Sequence, residues 1–236
     1  MAPVQPVPSI PCFVINLGRR PSRWDVSRER LSDAGLSCSR KLAVDGSDED
    51  VAKMLWAKYP NPMHTNGWTT GQMGCLETHM SALRDIAALP HDTGLAIIFE
   101  DDVAFNFRAN RSLLEATLAE APADADLVLL GMCEAHYAAW YNDRKLMPGS
   151  AFCLHAYATT PTAAHNVLRV LGESTQSADE EIRRACVQGN LICYLTAWFP
   201  GADSPFNVGK NAGSLFIQAP DGFSDTRPAM KLGDLF

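Results

Sequence analysis

Three adjacent carboxylates, Glu100-Asp101-Asp102, directly follow an apolar run at residues 94–99. Such a run predicts a strand buried on both faces, and ligands bind at strand ends in open α/β sheets. Mg²⁺ and Mn²⁺ prefer oxygen ligands, usually one or two carboxylates together with substrate phosphates. Glu100 and Asp102, two residues apart, project to the same side of an extended chain. The triplet therefore predicts a metal–diphosphate site, with a solvated acidic turn as the competing interpretation.

A second candidate feature is the cluster of basic residues just beyond the first predicted strand. Arg19, Arg20 and Arg23 lie there, and a guanidinium group can hold phosphate or ribose oxygens with its planar fork. Asn16, at the end of the strand, has the amide groups to read a base edge. A solvated helix start is the competing interpretation. Cations in a first helical turn oppose the helix dipole, however, and an anionic ligand would remove that conflict.

The composition indicates what kind of scaffold positions these side chains. The chain has 236 residues, of which 47% are hydrophobic and 20% charged, values typical of a globular protein. Its net charge of −7 argues against a nucleic-acid partner. No uninterrupted apolar stretch approaches the ~20 residues of a membrane span, and the Pro-rich start lacks a signal-peptide pattern. We therefore expect a cytoplasmic protein with no membrane span; the sequence carries no signal for its oligomeric state.

Seven cysteines are widely spaced along the chain and include no C-x-x-C pair. This pattern is typical neither of a disulfide framework nor of a zinc site. Cys12 and Cys193 fall in apolar runs, which predicts small buried apolar side chains. Reduced cysteines of this kind fit a reducing cytosol.

Short apolar runs alternate with helical periodicity, which predicts one α/β domain with a mostly parallel sheet. The predicted strands are 12–17, 40–44, 94–99, 126–131, 152–159 and 191–199. The predicted helices are 21–34, 48–59, one from residue 71, 110–120, 160–172 and one from 177 to about 187. Residues 1–11 read as a Pro-rich extension, 12–199 as the domain, and 200–236 as an irregular tail packed on it.

Several motifs follow one another in a fixed order along the predicted domain. They are Ile15-Asn16-Leu17, Arg19-Arg20 with Arg23, Ala43-Val44-Asp45-Gly46, Gly71 to Cys75 with Thr78-His79, Phe99-Glu100-Asp101-Asp102-Val103, and His155-Ala156-Tyr157. This set resembles glycosyltransferase family 25, the lipooligosaccharide and collagen galactosyltransferase relatives. The resemblance implies a GT-A-like Rossmann-type α/β/α sandwich with a mostly parallel central sheet. It also implies inverting transfer of a sugar, galactose favoured, from a UDP-linked donor to a glycan or other hydroxyl acceptor, with Mn²⁺ or Mg²⁺ as cofactor.

The resemblance also assigns roles to residues. Asp102, with Glu100 or Asp101 beside it, matches the metal motif. From the residues alone, His155 is a candidate third ligand from a neighbouring strand, with packing in the core as its competing interpretation. The residues expected to bind the nucleotide sugar are Asn16, Arg19, Arg23, Asp45, His79, Glu100 and Asp101. For His79 the competing interpretation is a core histidine, because it falls on the apolar face of its predicted helix.

The catalytic base must come from elsewhere, on the acceptor side. Asp179 and Glu180 open a predicted helix and are the candidates. Glu180 has a competing interpretation as the partner of Ser177 in a capping box, whereas Asp179 also fits an ordinary first-turn acid. We favour Asp179.

Two other function classes stay open at this stage. The first is a catalytically silent nucleotide- or glycan-binding module of the same fold. The second is another nucleotide-using α/β enzyme, such as a nucleotidyltransferase, which ranks last because the chain has no Gly-rich phosphate loop.

Overall fold

The computed structural model describes residues 10–59, 67–105, 110–137, 146–196 and 215–218. The strands are β1 (Cys12–Leu17), β2 (Ser39–Ala43), β3 (Ala96–Glu100), β4 (Val103–Phe105), β5 (Leu127–Tyr137), β6 (Leu146–Thr159), β7 (Cys193–Thr196) and β8 (Phe216–Gln218). The helices are α1 (Pro21–Asp33), α2 (Glu49–Lys58), α3 (Thr70–Ala87), α4 (Arg111–Ala119), α5 (Pro161–Gly172) and α6 (Ala178–Gln188), with a short 3₁₀ turn at His91–Thr93. No helix among these residues has the length and apolar character to cross a membrane.

The central sheet has six strands in the order β2-β1-β3-β6-β5-β7. β1 pairs in parallel with both β2 and β3, and β5 pairs in parallel with β7. β6 runs antiparallel to its neighbours β3, β5 and β7. Five of the six strands therefore run in one direction, which confirms the predicted mostly parallel sheet.

Helices cover both faces of the sheet, because the buried strands are apolar on both sides. In β3, Ile98 packs toward the face covered by α2, α3, α5 and α6, whereas its neighbours Ile97 and Phe99 pack toward the face of α1 and α4. The result is the predicted three-layer α/β/α sandwich. The two cores hold β1 and β3 side by side, so the carboxyl ends of these two strands lie at the same end of the sheet.

The turn after β2 is held tightly against the start of α3. Thr70 donates a hydrogen bond from its Oγ1 to the Gly46 carbonyl at 2.6 Å, and a Cβ added at Gly46 would overlap the Thr70 backbone. Thr69 caps α3 in a capping box with Gln72. This close approach needs glycine and brings Asp45 and α3 to the same end of the sheet.

The cysteine prediction is wrong for four of the seven residues. Disulfides join Cys12 to Cys38 and Cys186 to Cys193. Cys12 begins β1 and Cys38 directly precedes β2, a parallel neighbour whose register aligns Phe13 with Ser39; linear spacing does not reveal this proximity. The cytoplasmic location stays a prediction, and the disulfides count against it, since such bonds persist mainly in oxidising compartments.

A second, two-stranded sheet forms from β4 and β8, neither of which the sequence predicted. β8 comes from the segment expected to be irregular; the rest of that segment lies outside the described residues. Leu215 donates its backbone N–H to the Leu130 carbonyl at 2.8 Å, and Phe216 packs edge-on against Phe99 with ring centres 4.8 Å apart. β8 is thus packed beside the carboxyl-terminal part of β3 through Phe216 and Phe99.

Candidate active site

The acidic triplet lies at the carboxyl end of β3, as predicted, and its three members have different partners. Glu100 Oε1 lies 3.5 Å from His79 Nε2. Asp101 Oδ1 lies 3.1 Å from Arg23 Nη1, and its Oδ2 accepts a 2.5 Å hydrogen bond from the Asn16 amide. Asp102 Oδ2 accepts a 3.1 Å hydrogen bond from Arg23 Nη2. Arg23, in the first turn of α1, therefore bridges Asp101 and Asp102. These two carboxylates supply the negative charge that offsets the unfavourable position of a cation at a helix N-terminus.

Asp102 is the member of the triplet that has one carboxylate oxygen paired with Arg23 and the other unpaired. Its Oδ1 is buried and has no hydrogen-bond partner among the described residues. Burial and the charge of Glu100 raise the pKa of Asp102 from its ordinary 3.8 to about 6, against the opposing charge of Arg23. An unpaired buried carboxylate oxygen is costly. Asp102 is therefore suited to a cation.

The other two carboxyl groups respond differently to the same surroundings. Burial alone would raise the pKa of Glu100, but the hydrogen bond and charge of His79 hold it below its ordinary value. For Asp101, burial outweighs the hydrogen bond from Asn16 and the charge of Arg23, so its pKa is raised. Glu100 is thus the most readily ionised of the three.

Asn16 holds three chain segments together. Its Nδ2 donates to the Arg20 carbonyl at 3.0 Å as well as to Asp101, and its Oδ1 accepts from Arg40 Nε at 2.9 Å. The side chain is 1% exposed. Its hydrogen-bonding groups are engaged within the protein, so Asn16 positions the acidic triplet; reading a base edge would require it to give up one of these bonds. Arg40, which the sequence analysis overlooked, completes this network from β2.

Arg19 and Asp45, which are not part of the acidic triplet, form an ion pair with each other. Arg19 Nε lies 2.5 Å from Asp45 Oδ2, while Asp45 Oδ1 accepts hydrogen bonds from the backbone N–H and the hydroxyl of Ser47. Burial alone would raise the pKa of Asp45, but Ser47 and Arg19 lower it. This ion pair joins the start of α1 to the turn after β2.

His79 on α3 is buried, and both its ring nitrogens face polar groups. Nδ1 lies 3.0 Å from the Tyr157 hydroxyl and Nε2 faces Glu100. Burial lowers the pKa of His79, but Tyr157, Cys75 and Glu100 outweigh it and raise the pKa well above its ordinary value. His79 therefore orients Glu100 through Nε2. Tyr157, which received no role from the sequence, is the residue that fixes this ring.

Two cavities meet at Glu100 and His79. The first, which we call the carboxylate cavity, has a volume of about 240 Å³. Its lining includes Asn16, Arg23, Val44, Glu100, Asp101 and Asp102. The second, which we call the Asp179 cavity, has a volume of about 320 Å³ and is lined by Gln72, Cys153, Ser177 and Asp179, among others. Cys75, His79 and Glu100 line both, so the metal motif and the predicted base are brought to one place.

Asp179 and Glu180 lie in different surroundings although they are adjacent. Glu180 accepts hydrogen bonds from Arg183 Nε at 2.8 Å and Nη2 at 2.6 Å, and this pair lowers its pKa. Asp179 Oδ1 accepts the backbone N–H of Glu180 at 2.9 Å, and the residue faces the Asp179 cavity. The capping box that was the competing interpretation for Glu180 is not formed: Ser177 makes no side-chain cap, and the Glu180 carboxylate pairs with Arg183.

His155 is fully buried and lines neither of these cavities. Its Nε2 lies 3.2 Å from the Phe216 carbonyl, and its Nδ1 has no hydrogen-bond partner among the described residues. Its place as a metal ligand beside Asp102 stays a prediction.

The model of glycosyltransferase family 25, described as an LPS biosynthesis protein family, matches residues 9–145, more than half of the chain. The chain belongs to glycosyltransferase family 25. The matched segment carries Asn16, Arg23, His79 and the acidic triplet. Asp179 lies beyond it.

Named members of family 25 are similar to this chain over part of their length. The human inactive glycosyltransferase 25 family member 3 is 29% identical over 187 residues, which is 73% of this chain and 29% of that protein. The mouse procollagen galactosyltransferase 2 is 25% identical over 127 residues, half of this chain and 20% of that protein. The chain therefore spans less than a third of the length of these curated relatives.

A solved structure shows the fold of this family 25 chain independently of sequence. A glycosyltransferase involved in the glycosylation of the major capsid of PBCV-1 aligns with a TM-score of 0.50 at 9% identity, over 92% of this chain and 95% of that one. The fold is GT-A-like, as predicted.

Proposed function

We propose that this chain is an inverting, divalent-metal-dependent glycosyltransferase that moves galactose from a UDP-linked donor to a hydroxyl group of a glycan. The observation that carries the proposal is the buried Asp102 Oδ1, which has no partner among the described residues and belongs to an acidic triplet on the wall of the carboxylate cavity. Membership of family 25 supports the reaction class, and the name of the procollagen galactosyltransferase supports galactose.

Asp102 and Glu100 fit a divalent cation such as Mn²⁺ or Mg²⁺, because both offer carboxylate oxygens at one cavity wall. Burial and then the charge of Glu100 raise the pKa of Asp102 to about 6, and the positive charge of such an ion would oppose both effects. Both Asp101 oxygens are already bonded, so Asp101 supports the site rather than completing it. His155 lies outside this cavity, so the proposed ion rests on Asp102 and Glu100. When bound, the ion neutralises the negative charge that develops on the departing diphosphate.

The remaining residues of the carboxylate cavity position the donor. Arg23 is held between the two aspartates, and its guanidinium lines the cavity where donor phosphates would lie. Asn16 and the Arg19–Asp45 pair fix the end of β1 and the turn after β2 around it. Such prior fixing of geometry lowers the entropic part of the barrier.

We assign Asp179 as the base that takes the acceptor hydroxyl proton. Inversion requires the acceptor oxygen to approach the anomeric carbon from the side opposite the diphosphate, with a carboxylate within hydrogen-bond reach of it. Asp179 lines the cavity that adjoins the carboxylate cavity at Glu100, which supports this placement. Glu180 is less suited, because Arg183 occupies both its oxygens.

A catalytically silent nucleotide-binding module is the second candidate. What favours it is the name of the human relative. That protein is named an inactive family member, and the similarity covers 73% of this chain. Binding of a UDP-sugar without turnover would separate the two.

The test is a panel of nucleotide sugars with the purified chain, with and without Mn²⁺, reading thermal stabilisation and nucleoside diphosphate release. We expect stabilisation and slow diphosphate release with UDP-galactose in the presence of Mn²⁺. Asp33→Asn, which changes an exposed acid at the end of α1, is the matched control for Asp102→Asn. Metal-dependent stabilisation without release, and without transfer across an acceptor panel, would establish the silent module instead.

A further inference from the structure

Two thiols and an imidazole lie together where β5 and β6 pair, and one of the thiols, that of Cys153, reaches the Asp179 cavity. The ligand atoms of Cys133, Cys153 and His155 all lie within 4.8 Å of one another. Cys133 and Cys153 are outside both disulfides, and Cys153 lines the Asp179 cavity. Two sulfurs and one nitrogen are the ligands that Zn²⁺ prefers, in contrast to the carboxylate oxygens of the triplet.

The hydrogen bonding of His155 gives the second observation. Its Nε2 lies 3.2 Å from the Phe216 carbonyl, which can only accept, so Nε2 carries the proton. In the neutral ring this places the lone pair on Nδ1, and Nδ1 is buried without a partner among the described residues. A metal-binding histidine characteristically donates its other N–H to a backbone carbonyl in this way. His155 is thus fixed in the tautomer that a metal ligand needs.

From these observations we infer that Cys133 Sγ, Cys153 Sγ and His155 Nδ1 bind one Zn²⁺ ion, with the fourth position open to solvent from the Asp179 cavity. Zinc–sulfur bonds of about 2.3 Å place tetrahedral sulfurs about 3.8 Å apart. The observed spread of 4.8 Å or less therefore closes with small side-chain rotations. Each thiol gives up its proton to solvent on binding, so two protons leave as one dication enters.

The backbone around the cluster is irregular at both thiols. β5 changes register on either side of Cys133 where it pairs with β6, and Cys153 has a φ of 64°, a left-handed value that side chains rarely adopt. Gly131 pairs with Ala156 and Cys133 with Phe152, so Cys153 and His155 both lie in the irregular stretch of β6 between these two pairs.

The assignment is independent of the proposed transfer reaction, because it concerns different ligand atoms and its test requires no donor. It places His155 in a metal site with Cys133 and Cys153, and not in the proposed site at Asp102.

The experiment is a titration of the metal-free chain, its two disulfides intact and oxygen excluded, with Co²⁺ and then Zn²⁺. We expect one ion per chain, a thiolate-to-cobalt charge-transfer band that zinc abolishes, and zinc protection of both thiols from alkylation, read by mass spectrometry. Cys133→Ser and Cys153→Gly should each weaken binding at least about 100-fold. Glycine at position 153 tolerates the left-handed backbone, so this variant removes the ligand without disturbing the fold.

Cys75→Ser and Asp102→Asn are the matched controls, and both should bind zinc as the parent does. Cys75 is an exposed thiol of the same cavity outside the cluster. Absence of stoichiometric binding, or a Cys133–Cys153 disulfide in the purified protein, would overturn the inference. So would binding that survives in Cys153→Gly, or binding that disappears in Asp102→Asn, which would place the ion on the carboxylates.

Discussion

Replacing Asp102 with asparagine should stabilise the metal-free protein at neutral pH. In the folded chain the pKa of Asp102 is raised to about 6, chiefly by burial and then by the charge of Glu100, against an ordinary 3.8. A carboxyl group with a higher pKa in the folded than in the unfolded chain binds its proton more tightly when folded. Its contribution to stability is therefore complete below pH 4 and is lost as the pH rises through about 6. Asparagine stays neutral and avoids this loss.

The magnitude follows from the difference between the two pKa values. At about 1.4 kcal/mol for each tenfold change in proton affinity, the penalty at pH 7.5 is about 3 kcal/mol. The Asp102 side chain is 24% exposed, so solvent screening makes this an upper value. For a chain of this length about 3 kcal/mol corresponds to a rise in Tm of about 6–12 °C.

The assay is thermal unfolding of the parent, Asp102→Asn and the control Asp33→Asn in chelator, from pH 4 to 8. The gain in Tm from Asp102→Asn should be absent at pH 4 and should grow as the pH rises through 6. Asp33→Asn should unfold at the same Tm as the parent throughout this range. Adding Mn²⁺ at pH 7.5 should stabilise the parent and leave Asp102→Asn unchanged. A parent that is more stable than Asp102→Asn in chelator at pH 7.5 would contradict this prediction, because the ion pair with Arg23 would then outweigh the burial of the carboxylate.

Three further substitutions test the supporting residues. Asp179→Asn should lower kcat for transfer by about 10²–10⁴-fold while UDP-sugar binding, read by thermal shift, is retained; Glu180→Gln should change kcat by less than about threefold. An equal loss in both would remove the assignment of the base. Asn16→Ala leaves the buried Asp101 carboxylate without its amide donor and should lower the free energy of unfolding by about 2–3 kcal/mol in a urea titration; an unchanged midpoint would show that the network is dispensable. Gly46→Ala forces a methyl group into the Thr70 backbone and should lower Tm by several degrees, and a neutral result would mean that the turn after β2 is not held against α3.

Most of the fold could be predicted because local patterns and burial agree along the chain. The strand at residues 12–17 coincides with β1, and the helix predicted at 160–172 begins at its Thr160 cap and ends within a residue of the prediction. β8 could not be predicted, since three residues in a Gly- and Pro-rich tail carry too little periodicity. The disulfides were missed because they depend on which strands become neighbours, which the sequence spacing of the cysteines does not encode.

The candidate site also combines features that the sequence reveals with features that it does not. The triplet could be found because three carboxylates at a strand end are chemically conspicuous. The engagement of Asn16 with Arg40 could not, because β2 supplies Arg40 from 24 residues away. The cluster of Cys133 with Cys153 and His155 was hidden for a related reason: its first ligand comes from β5 and the other two from β6, so no short cysteine–histidine motif announces it.

The most direct test of the central claim is UDP release from UDP-galactose by the parent and by Asp102→Asn, with Mn²⁺ and with chelator. We expect release by the parent only when the metal is present, and a loss of at least about 100-fold in Asp102→Asn, whose fold is retained in thermal unfolding. Equal release by the two proteins, or release by the parent that is indifferent to chelator, would contradict the role of the acidic triplet as a metal–diphosphate site.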